Sequence, residues 1–223
     1  MLSSHAMDLR TMYERLGSRF KVDNWWPAES EFEIMIGAIL TQQTSWENVE
    51  GVIADMKANN LLDVDSLVKV DNDTLEEVIM PAGFYRQKAS RIKGLAEYIK
   101  VHYDSDPLAI LGQPLEEARR ELLSIRGIGE ETADSMLLFA GHRPKFVAAS
   151  HVTRILQRTG ILDSEDYGEI QRYVESIVPP KPEIYAKFYA LLVQLAKTHC
   201  KARPVCKGCP LEQECAFSAR RGK

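Results

Sequence analysis

Leu122-Leu123-Ser124-Ile125-Arg126-Gly127-Ile128-Gly129-Glu130-Glu131-Thr132-Ala133-Asp134 is the stretch on which the fold turns. Apolar periodicity stops near Ser124, two glycines bracket one isoleucine, and a second apolar face begins near Glu130 and continues through Leu137 and Leu138. The pattern predicts helix, tight turn, helix. Glycines at 127 and 129 let a backbone approach a ligand closely and bring amides to a helix N-terminus. That geometry suits a phosphate, through amide hydrogen bonds and the helix dipole. For a lone G-x-G, a plain αα-corner would be the leading explanation. Here the apolar frame around the glycines, followed by a helix, favours the anion-binding turn.

Helical periodicity extends outward in both directions. Ile92, Leu95 and Ile99 fall on one face, as do Ile170, Val174 and Ile177. The spacing predicts helices at about 8–19, 30–42, 45–59, 73–79, 86–103, 114–124, 130–140, 150–159, 167–177 and 182–199, with strand patterns scarce. Ser30 followed by Glu33 makes a capping box. Pro81-Ala82-Gly83 and Pro179-Pro180-Lys181-Pro182 punctuate. An all-α protein is expected. The 223 residues, 45% hydrophobic and 27% charged, suit one large core or two modest ones. No apolar run reaches membrane-spanning length, and Asp8, Arg10 and Glu14 leave no room for a signal peptide. A reduced cytoplasmic setting, nucleoid-associated and away from membranes, is the expectation.

All four cysteines lie in the last two dozen residues, as Cys200, Cys206, Cys209 and Cys215. Thiols so compressed read as ligands to one soft metal centre and not as a disulfide framework. The inner Cys206-Lys207-Gly208-Cys209 fits a zinc site or an iron–sulfur cluster. The wider outer spacings and Pro210 lean towards a [4Fe–4S] cubane, with zinc the alternative. The net charge of −4 does not announce a nucleic-acid binder. Basic residues nevertheless gather at Arg86, Lys88, Arg91 and Lys93, and around the cysteines at Lys197, Lys201, Arg203 and Lys207. Each cluster alone reads as a solvated helix face.

The apolar frame of the glycine turn points to a helix–hairpin–helix clamp for the DNA backbone, which positions a protein without reading sequence. Hairpin and cysteine loop, in this order, resemble the endonuclease III branch of helix–hairpin–helix DNA glycosylases over most of the chain. Ala38-Ile39-Leu40-Thr41-Gln42-Gln43-Thr44 resembles the segment with the family's duplex-inserting glutamine. Gly83-Phe84-Tyr85-Arg86-Gln87-Lys88-Ala89 resembles the G-[FLY]-Y-x-x-K-A segment, and Ser150-His151-Val152-Thr153-Arg154 the stretch after the catalytic aspartate. The resemblance implies a six-helix barrel domain at 27–140, with the helix–hairpin–helix motif at about 114–140. It implies a second, helical cluster domain from 1–26 plus 141–223, with a [4Fe–4S] loop at 200–215, and DNA between the two.

It also implies the chemistry: a monomer binds double-stranded DNA containing a damaged or mispaired base, flips that base out and hydrolyses its N-glycosidic bond. Gln42 would fill the hole left in the stack. Arg126, Gly127, Ile128, Gly129, Thr132, Lys201, Arg203 and Lys207 would contact DNA. Asn24-Trp25-Trp26-Pro27 and Trp46 bring three tryptophans beside the flipping site. Trp25, Trp46 and Gln43 are expected in the base pocket, and Trp26 in the core. Indoles favour a cationic alkylated purine such as 3-methyladenine. Oxidised pyrimidines and mismatched uracil or thymine are the alternatives.

Two positions depart from the family. Strand-cutting members carry lysine in G-x-G-x-K-T-A, where this chain has Glu131. A carboxylate cannot form a Schiff base, so a monofunctional enzyme is expected. Ala149 stands where V-[VA]-D-[STA]-[HY] has its aspartate, and a shift of one or two residues recovers no acid. Either this is an inactivating Asp→Ala substitution, the favoured reading because the surrounding motif is kept, or the lineage uses another acid or none. A non-catalytic DNA-damage binder is thus the second functional class. A redox carrier is the third, disfavoured because electron transfer needs no phosphate clamp. Asp134 is expected as an exposed helical acid, and His151 as a polar residue at a helix N-terminus.

Overall fold

The computed structural model describes residues 7–23 and 25–221; Asn24 and Lys223 lie outside them. Among the described residues all regular structure is helical. The chain divides into two compact units, one of Trp26–Arg143 and one of Met1–Trp25 with Pro144–Lys223.

The unit Trp26–Arg143 contains α2 (Glu31–Leu40), α3 (Trp46–Ala58), α4 (Val64–Lys69), α5 (Asn72–Ile79), α6 (Tyr85–Tyr103), α7 (Pro107–Leu111), α8 (Leu115–Ser124) and α9 (Glu130–Ser135). Side chains start most of these helices. Ser30, Ser45, Asp63, Asp71 and Asp106 each accept a backbone N–H of the following turn, satisfying donors that the helix itself leaves open. The 19-residue α6 is the spine, with α2, α4, α5 and α7 packed on it. Ile92, Leu95 and Ile99 on its inner face are completely buried, each contributing about 1.5–3 kcal/mol of transfer free energy.

The pattern 130–140 suggests one continuous helix. The α-helix instead stops at Ser135, and Met136–Ala140 widens into a π turn. Gly141 N–H reaches back to Met136 O at 2.9 Å. Beyond it, Arg143 donates to the carbonyls of Leu111 and Gln113 at 2.9 and 2.7 Å, closing the unit on α7. The short helices α4 and α7, and a 3-10 turn at Met80–Ala82, were not expected. Segments of this length carry too few turns to show a period.

The second unit holds α1 (Leu9–Arg19), α10 (Ser150–Thr159), α11 (Tyr167–Ile177), α12 (Pro182–Thr198) and α13 (Ala216–Arg221). α12 packs on both α1 and α10. Residues 146–149 form a buried non-helical lead into α10. Glu175 accepts Phe146 N–H at 2.9 Å and Gln171 donates to Phe146 O at 2.6 Å, so side chains of α11 satisfy both backbone groups at the start of this segment.

Candidate nucleic-acid interface

Between α8 and α9 the chain makes the turn that the glycines foretell. Gly127 has φ +88°, the left-handed region that favours glycine. A Cβ there would also lie 2.5 Å from Arg91 Cγ, so packing independently excludes a side chain. Gly129 differs: its backbone is extended, at φ −95° and ψ 179°, and starts α9 without a side-chain cap. Arg126, Gly127 and Gly129 are exposed, whereas Ile128 and Thr132 turn inward. Ile128 N–H is itself used, donating to Ile125 O at 3.1 Å.

Thr132 is buried because it meets Gln42. Gln42 Nε2 donates to Thr132 Oγ1 at 2.8 Å, and Gln42 Oε1 accepts from Arg91 Nη1. The glutamine turn after α2, the middle of α6 and the hairpin are thereby joined through one side chain. Neighbouring Gln43 sits at φ +54°, the strained middle of this turn. Lys88, one turn before Arg91, is 1% exposed. Its ammonium donates to Leu40 O at 2.8 Å, Thr44 Oγ1 at 2.5 Å and Ala82 O at 2.8 Å. Burial, with Arg91 nearby, pulls it down to about 8. On the Ala82–Phe84 turn, Phe84 is 59% exposed at φ +48°. The sequence offered Lys88 as a member of a basic cluster and of the resembling G-[FLY]-Y-x-x-K-A segment, and Arg91 only as part of the cluster; the structure buries Lys88 and half-buries Arg91.

Asp134 corrects the expectation of an exposed acid. It is fully buried, and Arg119 pairs with both its oxygens at 2.7 and 3.1 Å. Glu131, by contrast, keeps an exposed face, while partial burial pushes its carboxyl above the ordinary value. In the other unit, Ala149 is 1% exposed and occupies the N-cap of α10 with no side-chain cap bond. Two residues on, His151 stacks edge-on to Tyr189 at 5.2 Å, and its buried Nε2 has no hydrogen-bond partner. Burial drops its imidazole to about 4, so the ring is neutral at pH 7.

Trp26 meets Trp46 edge-to-face at 5.6 Å and packs on Phe139 at 5.0 Å. Both tryptophans line a cavity of about 350 Å³ with Pro27, Gly37, Glu29, Glu33 and Glu50. Lys57 crosses one end, bridging Glu29 and Glu33 at 2.9 and 3.0 Å. Trp25 belongs to the other unit.

Cys200, Cys206, Cys209 and Cys215 all line one cavity, with Ile155, Leu195 and Leu211 as apolar wall. Among the described residues, no three His, Cys, Asp or Glu side chains converge tightly enough to hold a single metal ion. The loop is tied to α10 by two arginines that sequence inspection did not single out. Arg154 donates to Cys200 O at 3.0 Å, and Arg158 to Lys201 O at 2.6 Å and Ala202 O at 3.0 Å. Their spacing of four puts them on one helix face. Burial, then the neighbouring cysteines, push the Cys209 thiol up to about 11. Lys201, Arg203 and Lys207 are exposed on this loop.

α8, the Gly127 turn and α9 together form a helix–hairpin–helix motif within a helical fold. Residues 36–180 match the model of the HhH-GPD superfamily base excision DNA repair proteins. The Methanocaldococcus jannaschii protein named "Putative DNA repair glycosylase MJ1434" is 40% identical over 206 residues, 92% of this chain and 94% of that one. The structure of Helicobacter pylori 3-methyladenine DNA glycosylase (MagIII) bound to 1,N6-ethenoadenine has TM-score 0.76 and 26% identity, covering 86% of this chain and 98% of that one. A trapped endonuclease III–DNA covalent intermediate matches at TM-score 0.83 over 100% of both chains, at 24% identity, a likeness of fold. This chain belongs to the HhH-GPD superfamily of base excision DNA repair proteins, as a DNA glycosylase of endonuclease III-like fold. No helix among the described residues is long and apolar enough to cross a membrane.

Proposed function

We propose that the chain is a monofunctional glycosylase scaffold that binds a damaged base in duplex DNA, as a monomer, and excises it slowly or not at all. The observation that carries this is Ala149, a buried alanine at the bare N-cap of α10. Base departure leaves positive charge on the sugar, which a nearby carboxylate stabilises. Ala149 has none to offer. Glu131 in the hairpin helix cannot supply the amine of a Schiff base, which supports hydrolysis without strand cutting. Flipping costs a few kcal/mol, least for a damaged or mismatched pair, and Gln42 fills the vacated space with Phe84 as an exposed apolar partner on the adjoining turn. Arg126, Gly127, Gly129, Lys201, Arg203 and Lys207 take phosphates, with Ile128 and Thr132 supporting the hairpin from inside.

The substrate class is an alkylated purine. Its support is the indole pair Trp26–Trp46 beside Glu50, with Glu29 and Glu33 already paired to Lys57; indole faces attract a cationic ring. The ethenoadenine bound by the similar MagIII is a modified purine too. Gln43, on the turn after α2, is a further proposed contact to the base.

The four cysteines fit a [4Fe–4S] cluster. A cubane spreads its thiolate ligands around a body, and these four thiols line one cavity. When bound, it would brace the loop carrying the three basic residues, and its iron would stabilise thiolates that burial disfavours. The test is a panel of lesion duplexes, scored for binding and for single-turnover excision by this chain and by Ala149→Asp. Selective lesion binding with rescued excision supports the proposal; rescue on none of the lesions that bind leaves a non-catalytic damage binder. Failure to prefer any lesion overturns both.

A further inference from the structure

Two turns in the unit Trp26–Arg143 carry the groups proposed above to meet a distorted duplex: Thr41–Thr44 with Gln42, and Ala82–Phe84 with the exposed Phe84. Each turn has a backbone bond of its own, Thr44 N–H to Thr41 O at 3.2 Å and Gly83 N–H to Met80 O at 3.0 Å, and each also holds a strained residue. Gln43 and Phe84 both sit at positive φ, +54° and +48°, a conformation that costs a non-glycine residue free energy and persists only when its surroundings enforce it. α2 also ends in this region, so its last carbonyls lack intrahelical partners.

One side chain ties these pieces together. Lys88 enters from α6 and spends its donors on Leu40 O, at the end of α2, on Thr44 Oγ1, in the first turn, and on Ala82 O, in the second. Thr44 Oγ1 in turn donates to Ala82 O, so the two turns are bonded directly as well as through the ammonium. Lys88 is 1% exposed and has no carboxylate among these partners. A buried cation held by neutral oxygens is costly, and packing alone would be served by a methionine of similar length. We infer that Lys88 is a positioning residue that clamps the two turns together, so that Gln42 and Phe84 are presented to the duplex as one unit. The inference rests on the proposed role of Gln42 and assigns Lys88 no contact with DNA.

The geometry makes the clamp specific. The ammonium of Lys88 bonds to Leu40, Thr44 and Ala82, and so to neither the hairpin nor the cysteine loop, which carry the proposed phosphate contacts. Loss of Lys88 therefore acts on recognition of a gap in the stack and not on backbone affinity. Arg91 holds the Gln42 side chain while Lys88 holds its backbone turn, so the two act on different parts of the same device.

The experiment compares binding to an intact duplex and to the same duplex with a stable abasic-site analogue, at fixed salt. For Lys88→Met the preference for the abasic duplex should fall at least tenfold while intact-duplex affinity changes less than twofold. Adding Gln42→Ala to Lys88→Met should cause no further loss. Because Lys88→Met can unfold the chain, Thr44→Val and Thr44→Ser provide a milder pair. Valine should lose part of the preference and serine, which keeps the hydroxyl, should retain it. Unchanged preference in folded Lys88→Met or Thr44→Val overturns the inference, as does a parallel loss on both duplexes. If the unaltered chain itself shows no abasic preference, the proposed function fails and the clamp with it; if Gln42→Ala alone keeps the preference, only the role of Gln42 and this inference fall.

Discussion

Installing an acid at position 149 should separate the structural from the chemical consequence of the missing carboxylate. Ala149 has φ −59° and ψ 160° and caps α10 with its backbone only, its carbonyl accepting Val152 and Thr153 N–H at 2.8 and 3.2 Å. Ala149→Asn and Ala149→Asp each add an oxygen for a first-turn amide, worth about 1 kcal/mol. The charge of aspartate adds about 0.3–1 kcal/mol at the helix N-terminus. A site only 1% exposed opposes that gain by desolvating the carboxylate. Ala149→Asn should therefore raise the melting temperature by about 2–4 °C for a chain of this size, and Ala149→Asp by no more than that. Excision depends on charge and not on the cap. Single-turnover release of an alkylated purine, followed by cleaving the abasic product with alkali, should rise about a hundredfold or more in Ala149→Asp alone. Equal rates for Asn and Asp would refute the reasoning. So would an Ala149→Asp variant that binds the lesion but stays as slow as the unaltered chain.

Binding should weaken as salt rises, and Arg126→Ala or Lys207→Ala should each reduce the slope of log K against log salt by about one unit; an unchanged slope removes that residue from the interface. His151 has a folded-state value of about 4 against an ordinary 6.5, so the unfolded chain binds the extra proton first. The stability that this neutral ring contributes is present above pH 6.5 and is lost as pH falls through about 4; His151→Phe should flatten that acid limb in a urea titration, and an identical limb would discount the residue. Arg119→Met leaves Asp134 charged and fully buried, costing about 3–5 kcal/mol, whereas a shift in urea midpoint equivalent to under about 1 kcal/mol would show the pair to be dispensable. Purified protein should be brown, with four irons per chain, and Cys209→Ser should lose colour and iron; a colourless zinc protein would refute the cluster.

Most helices were legible because their information is local. Caps such as Ser30, Asp8 and Asp166, breakers such as Pro81 and Pro182, and the 3.6-residue period lie within a few positions of the elements they set. α10 and α11 run over 150–159 and 167–177, as the pattern predicts. α4, α7 and α13, of six, five and six residues, fell below what periodicity can show. The site was legible wherever a residue type announces itself, as with the glycines of the hairpin and the four cysteines.

The sequence by itself determined an all-helical fold, the turn at Gly127 and the alanine at 149 that the proposal rests on, since backbone preference and residue identity need no distant partner. Only the tertiary structure decided that Thr132 supports Gln42 across 90 positions, that Lys88 reaches Leu40 and Thr44 across 48 and 44, and that Asp134 is buried against Arg119. A charge on a helix face reads the same on paper whether it meets water or a carbonyl. Which of the two it meets depends on what folding brings opposite that face.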